Sequence, residues 1–163
     1  MDYKIRTIGS ICNERTEVKD DYWGGVLSTL TLDEKQFSSD VTKGLDGFSH
    51  LEVVYYFHRV SPAGIGTTAR SPRNNPNWPE VGIFAQRAKG RPNLLGVSRC
   101  RLLKVDGLTL LVEGLDAISG TPIIDIKPYM HEFGPRGEVS QPAWATELMK
   151  KYYSEEQKPE NHT

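Results

Sequence analysis

The chain has 163 residues, 37% of them hydrophobic and 25% charged, and a formal net charge of −1. That balance suits one soluble globular domain with a sizeable core and excludes a disordered chain. No apolar run reaches the ~20 residues of a membrane helix, and the N-terminus lacks a signal-peptide core. Two cysteines, Cys12 and Cys100, form no CxxC pair, which argues against a disulfide scaffold or zinc knuckle and for a reducing, cytoplasmic setting.

Residues 3–12 alternate apolar and polar side chains, the pattern of a half-buried strand. Residues 13–21 carry four acids and read as a loop. Tyr22, Trp23, Gly24 and Gly25 follow, two aromatics beside a flexible pair. Trp23 either caps the core or presents its face to a flat heterocycle. Residues 26–32 are strand-like. Residues 33–44 are polar, with room for a short irregular helix, and 45–50 turn around Gly47. Residues 51–57 (LEVVYYF) are β-branched or aromatic at nearly every position, which predicts a central strand buried on both faces. His58 and Arg59 end it.

Residues 61–79 contain Pro62, Pro72, Pro76 and Pro79 with Gly64 and Gly66, so they form no helix. Within them 64–69 match GxGxxA. A dinucleotide fingerprint must open a helix, and here it runs into Pro72, so that fold is rejected. A loop this long is a binding loop or a mobile cover. Residues 81–84 are expected to be a strand. A basic loop with Arg87, Lys89 and Arg91 follows, and apolar 94–97 resume the strand pattern. Asp106-Gly107 between two strand patterns predicts a hairpin. Residues 121–129 are one more strand, closed by Pro128. From Ser140 the period becomes helical, with Pro142 in the first turn and Trp144, Leu148 and Tyr152 on one face, packing on the barrel or on a partner. The polar end, 155–163, is expected to fray.

Strands dominate, so the expected architecture is mainly β: a single closed β-barrel domain with long loops and a C-terminal α-helix. The boundary is placed at 135, with residues 1–135 forming the barrel and 136–163 the helix and polar tail.

Charge is uneven along the chain. Between Arg59 and Lys104 nine cations face one acid, Glu80, a local excess of eight positive charges that leaves the remainder at −9. Such segregation suggests a patch for a polyanion, against the alternative that the cations pair with acids from elsewhere. No serine elbow, HExxH or P-loop is present, and His50, His58, His131 and His162 lack metal-ligand spacing, so no metal is expected. The open options are an RNA-binding barrel and a group-transfer enzyme whose cofactor carries the chemistry.

The order of the motifs is informative: GLDGFSHL at 44–51, Phe57-His58, GIFAQR at 82–87, RPNLLGVS at 91–98, Gly114-Leu115-Asp116, and GTPIIDIKPY at 120–129. This order resembles the TrmO family, also called TsaA-like or VirR-like, across residues 3–129. The resemblance implies a β-barrel methyltransferase that uses S-adenosylmethionine, acts on tRNA by N6-methylation of threonylcarbamoyladenosine beside the anticodon, and forms a homodimer. It implies a cofactor site of Tyr22, Trp23, Gly24, His58, Arg59, Arg87, Val97, Gly114, Leu115 and Asp116. Asp116 would accept from the cofactor amine or ribose, Arg87 would hold its carboxylate, and His58 is the candidate catalytic base. Lys89, Arg91, Asn93, Arg70 and Arg73 would face RNA.

The family pattern ATRSPxRPNPIG appears here with Gln86, Ala88 and Leu94 as departures, the Pro-rich loop runs on through Pro79, and the extra C-terminal domain of many bacterial relatives is not expected here. A second reading is a non-enzymatic barrel that binds RNA or a partner protein, and a third a methyltransferase with another substrate.

Overall fold

The computed structural model describes residue 1 and residues 3–155. Six strands, β1 (Gly9–Asn13), β2 (Leu27–Leu32), β3 (His50–Tyr56), β4 (Leu95–Asp106), β5 (Thr109–Glu113) and β6 (Pro122–Pro128), close into a barrel. The order around it is β1-β2-β5-β4-β3-β6, and every pair is antiparallel. One α-helix, α1 (Ala143–Met149), follows the barrel. The fold is mainly β, as the strand patterns predict.

Each strand offers alternate residues to the interior, because successive side chains point to opposite faces. Ile11, Leu30, Leu51, Val53, Tyr55, Cys100, Leu110, Val112 and Ile123 make up most of the core. This periodicity corrects one expectation. In β3, Leu51, Val53 and Tyr55 are buried, but Glu52 and Val54 are half-buried and Tyr56 is 39% exposed. The apolar run is buried on one face only; β3 is flanked by β4 and β6, and its outer face forms the barrel wall.

Other boundaries differ too. The first strand starts at Gly9 rather than at residue 3, and Tyr3 (82% exposed) and Ile5 (59%) lie outside it. The expected strand at 81–84 is a single bridge, Val81 to Arg70, followed by a 3-10 turn, Ile83–Ala85. Phe84 is 81% exposed, so its apolar character marks no core position. The basic loop therefore runs from this turn into β4 rather than from one strand to another. The Asp106-Gly107 hairpin is present: Asp106 pairs with Thr109, and Gly107 takes a φ of +57°. The tail beyond residue 155 lies outside the described residues.

The antiparallel order has one consequence for function. β1, β3 and β5 point one way and β2, β4 and β6 the other. Loops 14–26, 57–94 and 114–121 therefore all open from the same end, while the β4–β5 hairpin and the exit of β6 lie at the opposite end.

Gly96 carries part of this packing. It pairs with Tyr55, and a Cβ there would run into the Tyr55 ring. A strand glycine of this kind marks a close approach, here one that lets a large ring lie flat inside the barrel mouth.

Leu110 is fully buried in this core. Leu110→Ala is expected to lower the unfolding free energy by about 2–5 kcal/mol through lost transfer energy and a residual cavity. Urea denaturation with an unchanged m-value checks this.

Candidate functional site

The loop end of the barrel is built around Asp116. Leu115 is fully buried and Ala117 is 3% exposed. These two apolar side chains peg the loop into the barrel mouth and hold Asp116 between them, half-buried. Gly114 makes the entry turn with a φ of +81° and donates its N–H to the Val26 carbonyl at 3.0 Å. On the other side Asn13 fixes the loop, its Nδ2 donating to the Ala117 carbonyl at 2.8 Å and to Ser28 Oγ at 2.9 Å.

Two phenols hold the Asp116 carboxylate. Tyr55 donates to Oδ1 at 2.9 Å and lies 3.1 Å from the Asp116 carbonyl; Tyr152 donates to Oδ2 at 2.5 Å. Both phenol pKa values are pushed well above the ordinary 10.0, first by burial and then by the neighbouring carboxylate. Tyr153 shifts upward too, again chiefly by burial. The buried Cys100 thiol is raised to about 12, by burial first and by Asp116 second. All these shifts favour the neutral, proton-carrying forms beside one carboxylate.

Loop 14–26 brings the second wall. Trp23 is 3% exposed, so its ring packs as part of the interior. The Arg15 guanidinium lies over that ring, 5.0 Å from its centroid. Arg15 also donates to the carbonyls of Asp21, at 3.3 Å, and Tyr22. Tyr22 has a φ of +67°. Such a conformation costs a non-glycine residue energy and persists where its surroundings dictate it, a frequent mark of functional sites. The Tyr22 and Trp23 N–H groups donate to the carbonyls of Lys151, at 3.1 Å, and Tyr152, at 2.8 Å. A Cβ on Gly24 would overlap the Tyr153 carbonyl.

The third contribution comes from loop 57–94. His58 and Arg59 are exposed at its start. His58 lies beside Gly120, and Arg59 donates to the Thr16 carbonyl at 2.8 Å. The His58 pKa is lowered from its ordinary 6.5, by burial first and by the Arg59 charge second. Arg87 donates to the Val97 carbonyl at 2.6 Å and Arg91 to the Gln86 carbonyl at 3.0 Å. Gln86 is 7% exposed and donates to the carbonyls of Arg70 and Val81, each at 2.9 Å. Its amide therefore pins the basic loop to the Pro-rich loop.

Several of the cations that are clustered in sequence meet acids. Arg73 pairs with Asp21 at 2.8 Å and Lys89 with Asp20 at 3.6 Å. Arg99, Arg101 and Lys104 pair with Glu52, Glu113 and Asp106 along β3, β5 and β4. Five of the nine cations thus meet acids, most of them brought from elsewhere in the chain, which reduces the local excess of positive charge. These exposed pairs are weak and leave the side chains able to exchange partners.

Of the residues expected at a cofactor site, all lie at the loop end, although Leu115 offers only its backbone. Tyr55, Tyr152 and Arg15 were not foreseen there. The first was legible: alternation in LEVVYYF turns Tyr55 inward, and a buried phenol needs a partner. Tyr152 carries no such mark in the sequence, where it belongs to an apolar helix face. Among the described residues no group of three or more His, Cys, Asp or Glu is placed to hold a metal ion. None of the described helices is long and apolar enough to cross a membrane.

The two raised phenols have a stability consequence. Their folded pKa values exceed the unfolded value near 10.0, so the native state retains protons that the unfolded chain releases. Their contribution is complete below about pH 10 and is lost as pH climbs further. The urea midpoint is expected to fall between pH 9 and 11, and Tyr55→Phe with Tyr152→Phe should flatten that fall.

Comparison with known proteins places this barrel. The family model described as "tRNA-methyltransferase O N-terminal domain" matches residues 19–134. The "tRNA (adenine(37)-N6)-methyltransferase" of Escherichia coli K12 is 40% identical over 96 residues, covering 56% of this chain and 40% of that protein. A Methanothermobacter thermautotrophicus protein named "Probable S-adenosyl-L-methionine-binding protein" is 38% identical over 139 residues, covering 84% of this chain and 97% of its own. A crystal structure of TrmO from Pseudomonas aeruginosa superposes with a TM-score of 0.70 at 26% identity, covering 86% of this chain and 61% of that one. The chain spans only 22% of the human relative, to which it is 35% identical over 99 residues. The matched residues 19–134 contain five of the six barrel strands together with Asp116 and Tyr55, and the chain belongs to the tRNA-methyltransferase O family.

Proposed function

We propose that this protein is an S-adenosylmethionine-dependent methyltransferase acting on tRNA, transferring a methyl group to N6 of the modified adenosine beside the anticodon. One observation carries the reading: within a barrel of this family, Asp116, the Tyr22–Gly24 backbone and Arg87 converge at one end. The donor set suits the cofactor. Asp116 is a half-buried acceptor for an ammonium or ribose hydroxyl, the Tyr22 and Trp23 N–H groups are donors, and Arg87 is a cation for a carboxylate. When bound, S-adenosylmethionine supplies a methyl group on an already activated sulfonium.

The chain's own residues supply position and proton handling. Tyr55 holds the Asp116 carboxylate at a fixed orientation, so the acceptor is in place before any ligand arrives. Arg87, tied to the Val97 carbonyl, is set where it can turn toward a carboxylate at the same end. A substrate N6 that carries a carbamoyl group has a delocalised lone pair, and removal of its proton raises its nucleophilicity. His58 is the proposed base. Burial and Arg59 keep its imidazole neutral near pH 7, the form that accepts a proton.

Lys89, Arg91, Asn93, Arg70 and Arg73 are proposed to receive RNA phosphates. For Lys89 and Arg73 this means exchanging Asp20 and Asp21 for the phosphate. The proposed setting is the cytoplasm, and the proposed assembly a homodimer. The dimer draws on outward aromatics such as Phe84 and Phe133, 81% and 77% exposed, rather than on the half-buried Trp144, Leu148 and Tyr152 face. Residues 1–135 are kept as the catalytic domain.

Calorimetry with S-adenosylmethionine, followed by methyl transfer to total tRNA and nucleoside analysis, tests the reading. Asp116→Asn is expected to weaken the cofactor by about 1.5–3 kcal/mol, the value of a charge-assisted hydrogen bond, or roughly 10- to 150-fold in Kd. No cofactor binding and no methylated nucleoside would leave the non-enzymatic barrel standing instead.

The pH profile tests His58 separately. Its lowered pKa places the acid limb of kcat below pH 6.5, with a plateau up to pH 8. His58→Gln should remove that limb and lower kcat by about 10²–10⁴-fold.

A further inference from the structure

The chain leaves β6 at the end of the barrel opposite the site, yet Lys151, Tyr152 and Tyr153 lie in the site. Residues 129–150 therefore carry the chain back along the barrel. The family model ends at residue 134, so α1 and the segment after it lie beyond the shared domain.

What this segment touches is specific. Its carbonyls at Lys151 and Tyr152 take the N–H groups of Tyr22 and Trp23, its Tyr153 carbonyl lies against Gly24, and its Tyr152 hydroxyl takes Asp116 Oδ2. These are the same backbone donors and the same carboxylate assigned above to S-adenosylmethionine. A donor can serve one strong acceptor at a time, and a buried carboxylate oxygen has few approach directions.

We propose that the C-terminal segment 143–154 is a strap that occupies the cofactor subsite and must swing out before S-adenosylmethionine enters. This rests on the cofactor reading above. The strap's attachment suits a part that opens. None of the residues of α1 is buried, and the helix has only seven residues. A helix so short is marginal by itself, and with burial concentrated at the Tyr152–Tyr153 end the helical part of the strap opens at low free energy. Its remote latch is one exposed hydrogen bond, from Trp78 Nε1 to Glu147 Oε2 at 3.0 Å. The latch sits on the Pro-rich loop, so movement of that loop on substrate binding would release the strap. The apparent cofactor affinity is the intrinsic affinity scaled by the open fraction.

Calorimetry of S-adenosylmethionine on the full chain tests this with two strap variants, Glu147→Ala, which removes the latch, and Tyr152→Phe, which removes the hydroxyl on Asp116. Each is expected to bind about 5- to 20-fold tighter than the parent, as the open fraction rises. Hydrogen exchange should show the Tyr152 amide of the strap, bonded to the Met149 carbonyl, protected without cofactor and faster with it while the strap is displaced. Unchanged or weaker binding by both variants, with the parent binding well, overturns the strap and makes the segment a wall of the site; the cofactor reading then survives. If neither parent nor variants bind, the cofactor reading itself falls and the strap with it.

Discussion

Closure of the sheet is the constraint on which everything else depends. Strand β6 pairs with both β1 and β3, so the barrel has no free edge there, and an all-antiparallel order forces alternate connections to alternate ends. Three long loops emerge together at one end, with 13, 38 and 8 residues if bounds 14–26, 57–94 and 114–121 are counted. Residues far apart in sequence, such as Gly24 and Gly114, become neighbours without either loop needing structure of its own. The rigid wall also limits where the loops can go: Leu115 and Ala117 are drawn into the mouth by their apolar surface, and Asp116 follows because it lies between them.

Asp116 is the point where barrel, loop and C-terminal segment meet. A carboxylate in a half-buried setting is costly unless its oxygens are satisfied, and Tyr55 and Tyr152 satisfy them. The two phenols are not equivalent. Tyr55 belongs to β3, deep in the core, and its ring has room only because Gly96 across the strand pair has no side chain. Tyr152 belongs to a segment with no buried helix residue. One partner is permanent and the other exchangeable, which suits a site that must present a fixed acceptor and still admit a ligand.

Charge follows a related logic. The acids of loop 14–26 meet cations of loop 57–94 through Asp20 and Asp21 with Lys89 and Arg73. These contacts hold the two loops near each other with weak, exposed pairs. Tighter ties in the same loop are neutral: the buried Gln86 amide bridges two carbonyls and fixes the backbone from which Arg87 and Arg91 reach the Val97 and Gln86 carbonyls.

The sequence by itself determined the strand content, the hairpin at Asp106-Gly107, the barrel and the family, because alternation, turn chemistry and motif order are local properties that tertiary contacts rarely override. It also marked Trp23, His58, Arg87 and Asp116 as one group, through the resemblance that orders their motifs. Tertiary structure decided what local pattern cannot encode. Whether 81–84 would pair depended on a neighbouring strand that is not there, since Val81 finds only Arg70. The fate of the +8 stretch depended on acids far away in sequence, Asp21 for Arg73 at 52 residues and Asp20 for Lys89 further still. The seat of Tyr152 on Asp116 required the chain to return along the whole barrel. Sequence periodicity could identify the apolar face of that segment, but only three-dimensional closure could decide that Tyr152 at its end meets the chain's own candidate site.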